Sequence, residues 1–194
     1  MASNDLDLVR RVTANYFFWQ GLRFAPFGAV GLVIAATYAP WWPAWLPVEP
    51  AILASVGLAF LGSLAAGRYY AGAFGRVVDR PIDHRLRAHL KWLVVYPLMG
   101  ASLVVDAIMA GPVFLSGPVW AAALVAYWWS TGRGRPHYLA LATATALTGL
   151  LPLLDPSRRG ELLFPLFFAW LGLVYIAGGV LDHFALRRVM ADHG

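Results

Sequence analysis

A run of 41 residues from Trp92 to Gly132 carries a single charge, Asp106. As one helix this run would extend about 60 Å, which is twice the roughly 30 Å thickness of a bilayer's hydrocarbon core. The chain must therefore turn back within it, and the two Gly-Pro pairs of segment 111–118 mark the reversal. A run of this kind predicts two consecutive transmembrane helices.

The apolar character of this run extends over the whole chain. Of the 194 residues, 60% are hydrophobic and 13% are charged, whereas a soluble domain carries about 25% charged residues. Six uncharged blocks predict membrane spans at about 24–42, 51–67, 92–111, 113–130, 138–154 and 162–181. We therefore expect an all-α fold, namely a polytopic integral membrane protein with a six-transmembrane-helix bundle, short loops and one membrane domain over residues 1–194.

Basic residues are distributed unevenly between the two predicted sides of the membrane. With the N-terminus in the cytoplasm, thirteen of the 15 Lys and Arg residues lie inside, and only Arg158 and Arg159 lie outside. Because short loops follow the positive-inside rule, we expect a multi-pass protein of the cell (inner) membrane with both termini in the cytoplasm. This topology accounts for the net charge of +5, so direct nucleic-acid binding is not needed to explain it.

Small residues recur at every fourth position along the second predicted span. Since four residues turn a helix by about 400°, they stay on one slowly rotating face. Small residues on such a face let helix backbones approach closely, which favours packing in lipid. The predicted packing residues are Ser55, Ala59, Ser63 and Gly67. Their partner belongs either to the same chain or to a second copy.

Asp106 is predicted to lie about 21 Å from the inner boundary, where a carboxylate in lipid costs about 2.5–3.5 kcal/mol. Three roles are open: an ion pair with Arg158 or Arg159 of the outer loop, a titrating proton or cation site, and a site for a cationic or hydrogen-bonding ligand. Thr145 and Thr148 of the fifth span either bond back to their own helix or line a polar path. They join Asp106 as candidate ligand or ion residues.

The predicted cytoplasmic loop 68–91 is the most polar segment of the chain. Its basic residues suit either anchoring on anionic lipid or docking of a cytoplasmic protein, such as an ATPase or a regulator. The candidates for this contact are Arg76, Arg80, Arg85, Arg87 and Lys91. Formation of a homo-oligomer is the remaining partner hypothesis.

Sequence patterns for catalysis or metal binding are weak. The chain has no cysteine, and it contains no HExxH, Walker or GxGxxG motif. Histidines 84 and 89 are five residues apart, so on a helix they would point in different directions. We therefore expect no catalytic residue, no metal and no cofactor.

Three functions remain open from the sequence. The first is a non-enzymatic membrane subunit involved in solute transport, which docks a cytoplasmic partner through the basic 76–91 segment. A membrane-embedded sensor or regulator that binds a cytoplasmic regulatory protein is the second, and a small intramembrane lipid-modifying enzyme is the third. We favour the first, because short loops and an interior carboxylate suit a solute path and no catalytic cluster is evident.

Overall fold

The computed structural model describes residues 16–74, 82–109, 111–130, 135–158 and 164–191, with the backbone alone described for 17–18, 82–92, 158 and 164. Within these ranges the chain forms helices and no β-strand, which confirms the predicted all-α fold. The helices are α1 (Tyr16–Trp19), α2 (Ala25–Thr37), α3 (Val48–Ala73), α4 (Ile82–Ile108), α5 (Ser116–Ser130), α6 (His137–Thr148) and α7 (Phe164–Ala191). Short 3₁₀ helices lie at Gly21–Arg23, Leu151–Leu153 and Pro156–Arg158.

Two of the described helices are long and apolar enough to cross a membrane, namely α3 and the Pro165–Ala191 part of α7. Shorter apolar segments occupy Gly21–Thr37, Leu93–Ile108 and His137–Leu153. The 13 residues of α2 rise about 20 Å, which is less than the roughly 30 Å of a hydrocarbon core. Two of the six predicted spans therefore have the required length, and the six-span bundle stays a prediction.

The helix boundaries differ from the predicted span boundaries around the polar segment 68–91. The predicted span 51–67 is the middle of α3, which continues to Ala73, and α4 already begins at Ile82. Much of the predicted loop is therefore helical. The physical reason is that a charge such as Arg68 ends an uncharged block without ending a helix, since Arg is a good helix former.

The helices group into two compact units, one formed by Met1–Val77 with Phe164–Gly194 and the other by Val78–Leu163. In the first unit α2 packs against both α3 and α7. In the second unit α5 packs against α6 and α4.

Glycines set the distance between α2 and α7 in the first unit. A Cβ on Gly28 would overlap the carbonyl oxygen of Gly172, and a Cβ on Gly172 would lie 2.6 Å from the Gly28 carbonyl oxygen. Gly21 and Gly179 repeat this reciprocal arrangement two helical turns away. The two helices therefore run antiparallel, and a side chain at any of these positions would force the backbones apart.

Large apolar side chains point outward along much of α3. Leu53, Leu58, Leu61 and Leu64 are 60–70% exposed, whereas Ala59 on the packed face is 3% exposed. A contiguous apolar face of this kind is rare on monomeric soluble proteins and marks an interaction site for a protein or a membrane.

Candidate functional site

The Asp106 carboxylate joins the end of α4 to the start of α5. Its Oδ1 accepts a hydrogen bond from the Leu115 backbone N–H, and its Oδ2 accepts one from the Ser116 N–H, both at 2.7 Å. Ser116 is the first residue of α5, so these donors belong to the N–H groups that a helix leaves unsatisfied at its N-terminus. With a side chain only 6% exposed, Asp106 is a buried helix cap supplied by the preceding helix.

The sequence around α5 explains why this cap comes from Asp106. Leu115 precedes the helix and offers no side-chain oxygen, and the first turn of α5 contains no acidic residue. The charge of Asp106 therefore faces the positive end of the α5 dipole, where a carboxylate is stabilising.

The C-terminal end of α6 lies beside this cap in the second unit. Phe114 donates its backbone N–H to the Gly149 carbonyl oxygen at 2.8 Å, and a Cβ on Gly117 would lie 2.6 Å from the Gly149 Cα. The ends of α4, α5 and α6 therefore meet here, and Asp106 fixes two of them to each other. Its predicted ion pair stays a prediction, since Arg159 and the Arg158 side chain lie outside the described residues.

The hydroxyls of Thr145 and Thr148 donate hydrogen bonds to carbonyl groups of their own helix. Thr145 Oγ1 lies 2.7 Å from the Leu141 oxygen, and Thr148 Oγ1 lies 2.6 Å from the Thr145 oxygen. Bonds of this kind let a hydroxyl sit in an apolar helix at little cost. The role of the two threonines as ligand or ion residues stays a prediction.

The small-residue stripe of α3 lies on the packed side of that helix. Ala59 is buried, and Ser55, Ser63 and Gly67 are partly buried. The Arg23 guanidinium lies 3.4 Å from the position that a Cβ of Gly67 would take. At Gly67, therefore, the neighbour comes from the same chain.

The predicted docking residues fall on the least described part of the chain. Arg85, Arg87 and Lys91 lie in the first turns of α4, where the backbone alone is described. Arg76 and Arg80 lie outside the described residues. Their contact with lipid or protein stays a prediction.

A buried polar cluster that we did not predict lies in the first unit. The Tyr70 hydroxyl lies 3.1 Å from Nδ1 of His183, which is 113 residues away along the chain. The Leu22 backbone N–H donates to the same hydroxyl at 3.2 Å, and Tyr16 donates its phenol proton to the Tyr70 carbonyl at 3.3 Å. We call Tyr16, Leu22, Tyr70 and His183 the Tyr70 cluster. It connects segment 16–23 to both α3 and α7.

The donors and acceptors of the Tyr70 cluster define its protonation. The Tyr70 oxygen accepts from Leu22, and if Nδ1 of His183 also donated to it, the phenol proton would have no acceptor among the described contacts. An imidazole that accepts at Nδ1 carries its proton on Nε2 and is neutral, and we assign this tautomer to His183. Partial burial raises the pKa of the Tyr16 phenol above its ordinary value, so Tyr16 remains a donor at neutral pH.

Matched glycine spacing is the sequence signal that could have revealed this cluster. Gly21 and Gly28 have the same spacing as Gly172 and Gly179. Two helices with equally spaced small residues pack closely, so the pattern places the 3₁₀ turn beside Gly179 in the second half of α7. Asp182 and His183 then follow as neighbours of that turn.

Arg135 is a second buried group that we predicted only as a loop charge. It is 1% exposed, and its Cζ lies 5.0 Å from the ring centroid of Tyr127 and 5.2 Å from that of Tyr138. At these distances a guanidinium is attracted to the faces of both rings. Arg135 therefore links the end of α5 to the start of α6.

Within the described ranges, no group of three or more His, Asp or Glu side chains is placed to hold a metal ion. Comparison with known proteins finds no family model, no curated protein and no solved structure that matches this chain. The function is therefore inferred from the residues of this chain alone.

Proposed function

We propose that this chain is a non-enzymatic, multi-pass protein of the cell membrane, involved in solute transport. In this proposal it has six spans and cytoplasmic termini, and it docks a cytoplasmic partner through the basic 76–91 segment. The partner supplies the energy for transport, because the chain itself has no nucleotide-binding motif.

The outward face of α3 supports the membrane part of the proposal. Leu53, Leu58 and Leu61 are more than half exposed, and leaving such a side chain in water forgoes about 1.5–3 kcal/mol relative to burial. In lipid this cost disappears. The 26 residues of α3 also exceed the roughly 20 that a span requires.

The observation that carries the docking proposal is the continuity of α4. One helix extends from Ile82 to Ile108, so the basic first turns and the apolar part Leu93–Ile108 belong to one element. A partner bound at Arg85, Arg87 and Lys91 would therefore be connected by helix to the Asp106 cap. Movement of the partner would reach α5 by this route, as a transport subunit driven by another chain requires.

The bonding of the buried polar residues favours a non-enzymatic role. Catalysis on a lipid needs a nucleophile and a base that the substrate can reach. Asp106 is instead bonded to two backbone N–H groups, and Tyr70 is fully buried between Leu22 and His183. Both residues hold helices together in the described structure.

Isolation of the full chain in mild detergent tests the docking proposal. We expect an ATP-hydrolysing subunit to co-purify and to drive solute uptake when both chains are placed in vesicles. The triple variant Arg85→Gln, Arg87→Gln, Lys91→Gln should lose this subunit. The matched control Arg187→Gln, Arg188→Gln, which removes charge at the end of α7, should retain it.

Other results of the same isolation would contradict the transport proposal. Co-purification of a DNA-binding protein, lost in the triple variant, would support the sensor or regulator instead. A chain that purifies alone and modifies lipid would support the enzyme.

A further inference from the structure

We propose that the Tyr70 cluster is a proton-dependent switch, in which protonation of His183 releases segment 16–23 from α3 and α7. The proposal does not depend on solute transport, because no residue of the cluster belongs to the basic 76–91 segment or to the Asp106 cap. It assigns a role to a buried histidine that no other part of the proposed function uses.

Tyr70 is the point at which segment 16–23 is held. Its hydroxyl accepts the Leu22 N–H at 3.2 Å and its carbonyl accepts the Tyr16 phenol at 3.3 Å. The same hydroxyl has one proton to donate, and in the assigned tautomer Nδ1 of His183, at 3.1 Å, accepts this hydrogen bond. With Tyr70 at 0% exposure, water does not replace any of these partners.

Protonation of His183 reverses one of these bonds. The new proton is bound by the Nδ1 lone pair, so Nδ1 becomes a donor and no longer accepts from Tyr70. The Tyr70 oxygen would then face two donors, Leu22 and His183, while its own proton would have lost its acceptor. A buried donor without an acceptor is costly, so the arrangement that includes Leu22 is destabilised.

Several charged and titratable groups surround His183 and bias its protonation. On α7, burial of His183 and the Arg187 guanidinium one turn later both oppose the imidazolium, and the neighbouring Asp182 is fully buried. On α3, the Tyr69 and Tyr70 rings lie 5.8 Å and 5.7 Å from the His183 ring. Segment 16–23 contributes the Tyr16 phenol, which bonds to the Tyr70 carbonyl.

Cysteine labelling can measure the release directly, because the natural chain contains no cysteine. The probe is Leu22→Cys in the full chain in detergent micelles, reacted with a water-soluble thiol reagent at about pH 8 and about pH 4.5. This interval extends below the usual imidazole range, because burial opposes protonation of His183. The reference is Trp45→Cys, since Trp45 is 80% exposed. The ratio of the two rates removes the pH dependence that the two thiols share.

We expect the labelling ratio at position 22 to rise roughly tenfold on acidification, as the loss of a buried hydrogen bond implies. In the His183→Asn background the amide oxygen can still accept from Tyr70 but does not titrate, so the ratio should stay low at both pH values. Tyr70→Phe should give a high ratio at both.

Two results would overturn the switch. One is a labelling ratio that does not change with pH in the otherwise natural chain. The other is a full rise in the His183→Asn background, which would place the relevant proton on another group. Both readouts remain decisive if the Tyr70→Phe variant fails to fold.

Discussion

Asp106 and Tyr70 are both buried at the ends of apolar helices, but they hold their neighbours in different ways. Asp106 uses both oxygens of a carboxylate to bind two N–H groups nine and ten residues later in the chain. Tyr70 uses a neutral hydroxyl, and its side-chain partner His183 is 113 residues away. We call these two connections the Asp106 joint and the Tyr70 joint. The Asp106 joint connects residues that are close in the sequence through a charged group. The Tyr70 joint connects residues that are far apart in the sequence through a neutral group.

This difference indicates what each joint can do. A carboxylate at a helix N-terminus benefits from the helix dipole as well as from two hydrogen bonds, so the Asp106 joint should be the stronger and should stay closed. The Tyr70 joint has no such charge, and one of its partners is an imidazole that can gain a proton on acidification. We therefore expect a rigid connection at Asp106 and a reversible one at Tyr70.

Asp106→Ala should give the largest loss of stability among the variants considered. The substitution leaves the Leu115 and Ser116 N–H groups without their acceptor, and each costs about 1–3 kcal/mol. We expect the free energy of unfolding in detergent to fall by about 3 kcal/mol. Asp106→Asn keeps one acceptor oxygen and should lose about half as much. Equal stability of the Ala variant and the natural chain would show that Asp106 is not a cap.

Gly28→Ala should be next in size, because the Tyr70 joint depends on how closely α2 approaches α7. The new methyl group would meet the Gly172 carbonyl and Ile176, and overpacking of this kind costs about 2 kcal/mol. Gly57→Ala is the matched control, since a Cβ there has no neighbour within 4 Å. A denaturant titration that shows equal losses for the two variants would refute the close contact.

Tyr70→Phe should have a smaller effect than Asp106→Ala, as the comparison of the two joints requires. The variant keeps the ring and removes the hydroxyl, so we expect a loss of about 1–2 kcal/mol. Tyr69→Phe removes a hydroxyl from the adjacent, 47% exposed side chain and should leave unfolding unchanged. A larger loss of unfolding free energy for Tyr70→Phe than for Asp106→Ala would show that the Tyr70 joint is the stronger of the two.

Thr148→Val should have the smallest effect, because its hydrogen bond stays within one helix. The carbonyl of Thr145 keeps its place in the helix when the hydroxyl is removed, so we expect a change below about 0.5 kcal/mol. The unfolding curve of the purified variant measures this. A large loss of solute uptake with unchanged stability would instead assign Thr148 to a polar path.

The sequence predicted the helical fold because long uncharged blocks indicate helices whatever their neighbours are. It also indicated Asp106 as a candidate site residue, because a single carboxylate in an apolar run requires a partner. The partner itself was not predicted, since an N-terminus capped from the preceding helix leaves no motif. The Tyr70 cluster was missed because contacts between residues so far apart depend on the packing of α2, α3 and α7.

Helix lengths were the least predictable part of the fold. Hydropathy ends a span at the first charge, as at Arg68, whereas α3 continues to Ala73 because backbone hydrogen bonding does not depend on the charge of the side chain. The α2 helix is instead shorter than the predicted span 24–42, because it ends at Thr37 within that apolar block.

Spin labelling of α3 in lipid vesicles tests the central claim most directly, namely that the outward face of this helix contacts lipid. The two positions are Leu61→Cys on that face and Trp45→Cys in the connection between α2 and α3, each in the full chain. We predict that the label at position 61 collides frequently with oxygen and rarely with a water-soluble nickel chelate, while the label at position 45 shows the reverse. A label at position 61 that is as accessible to the nickel chelate as the one at position 45 would contradict the membrane account.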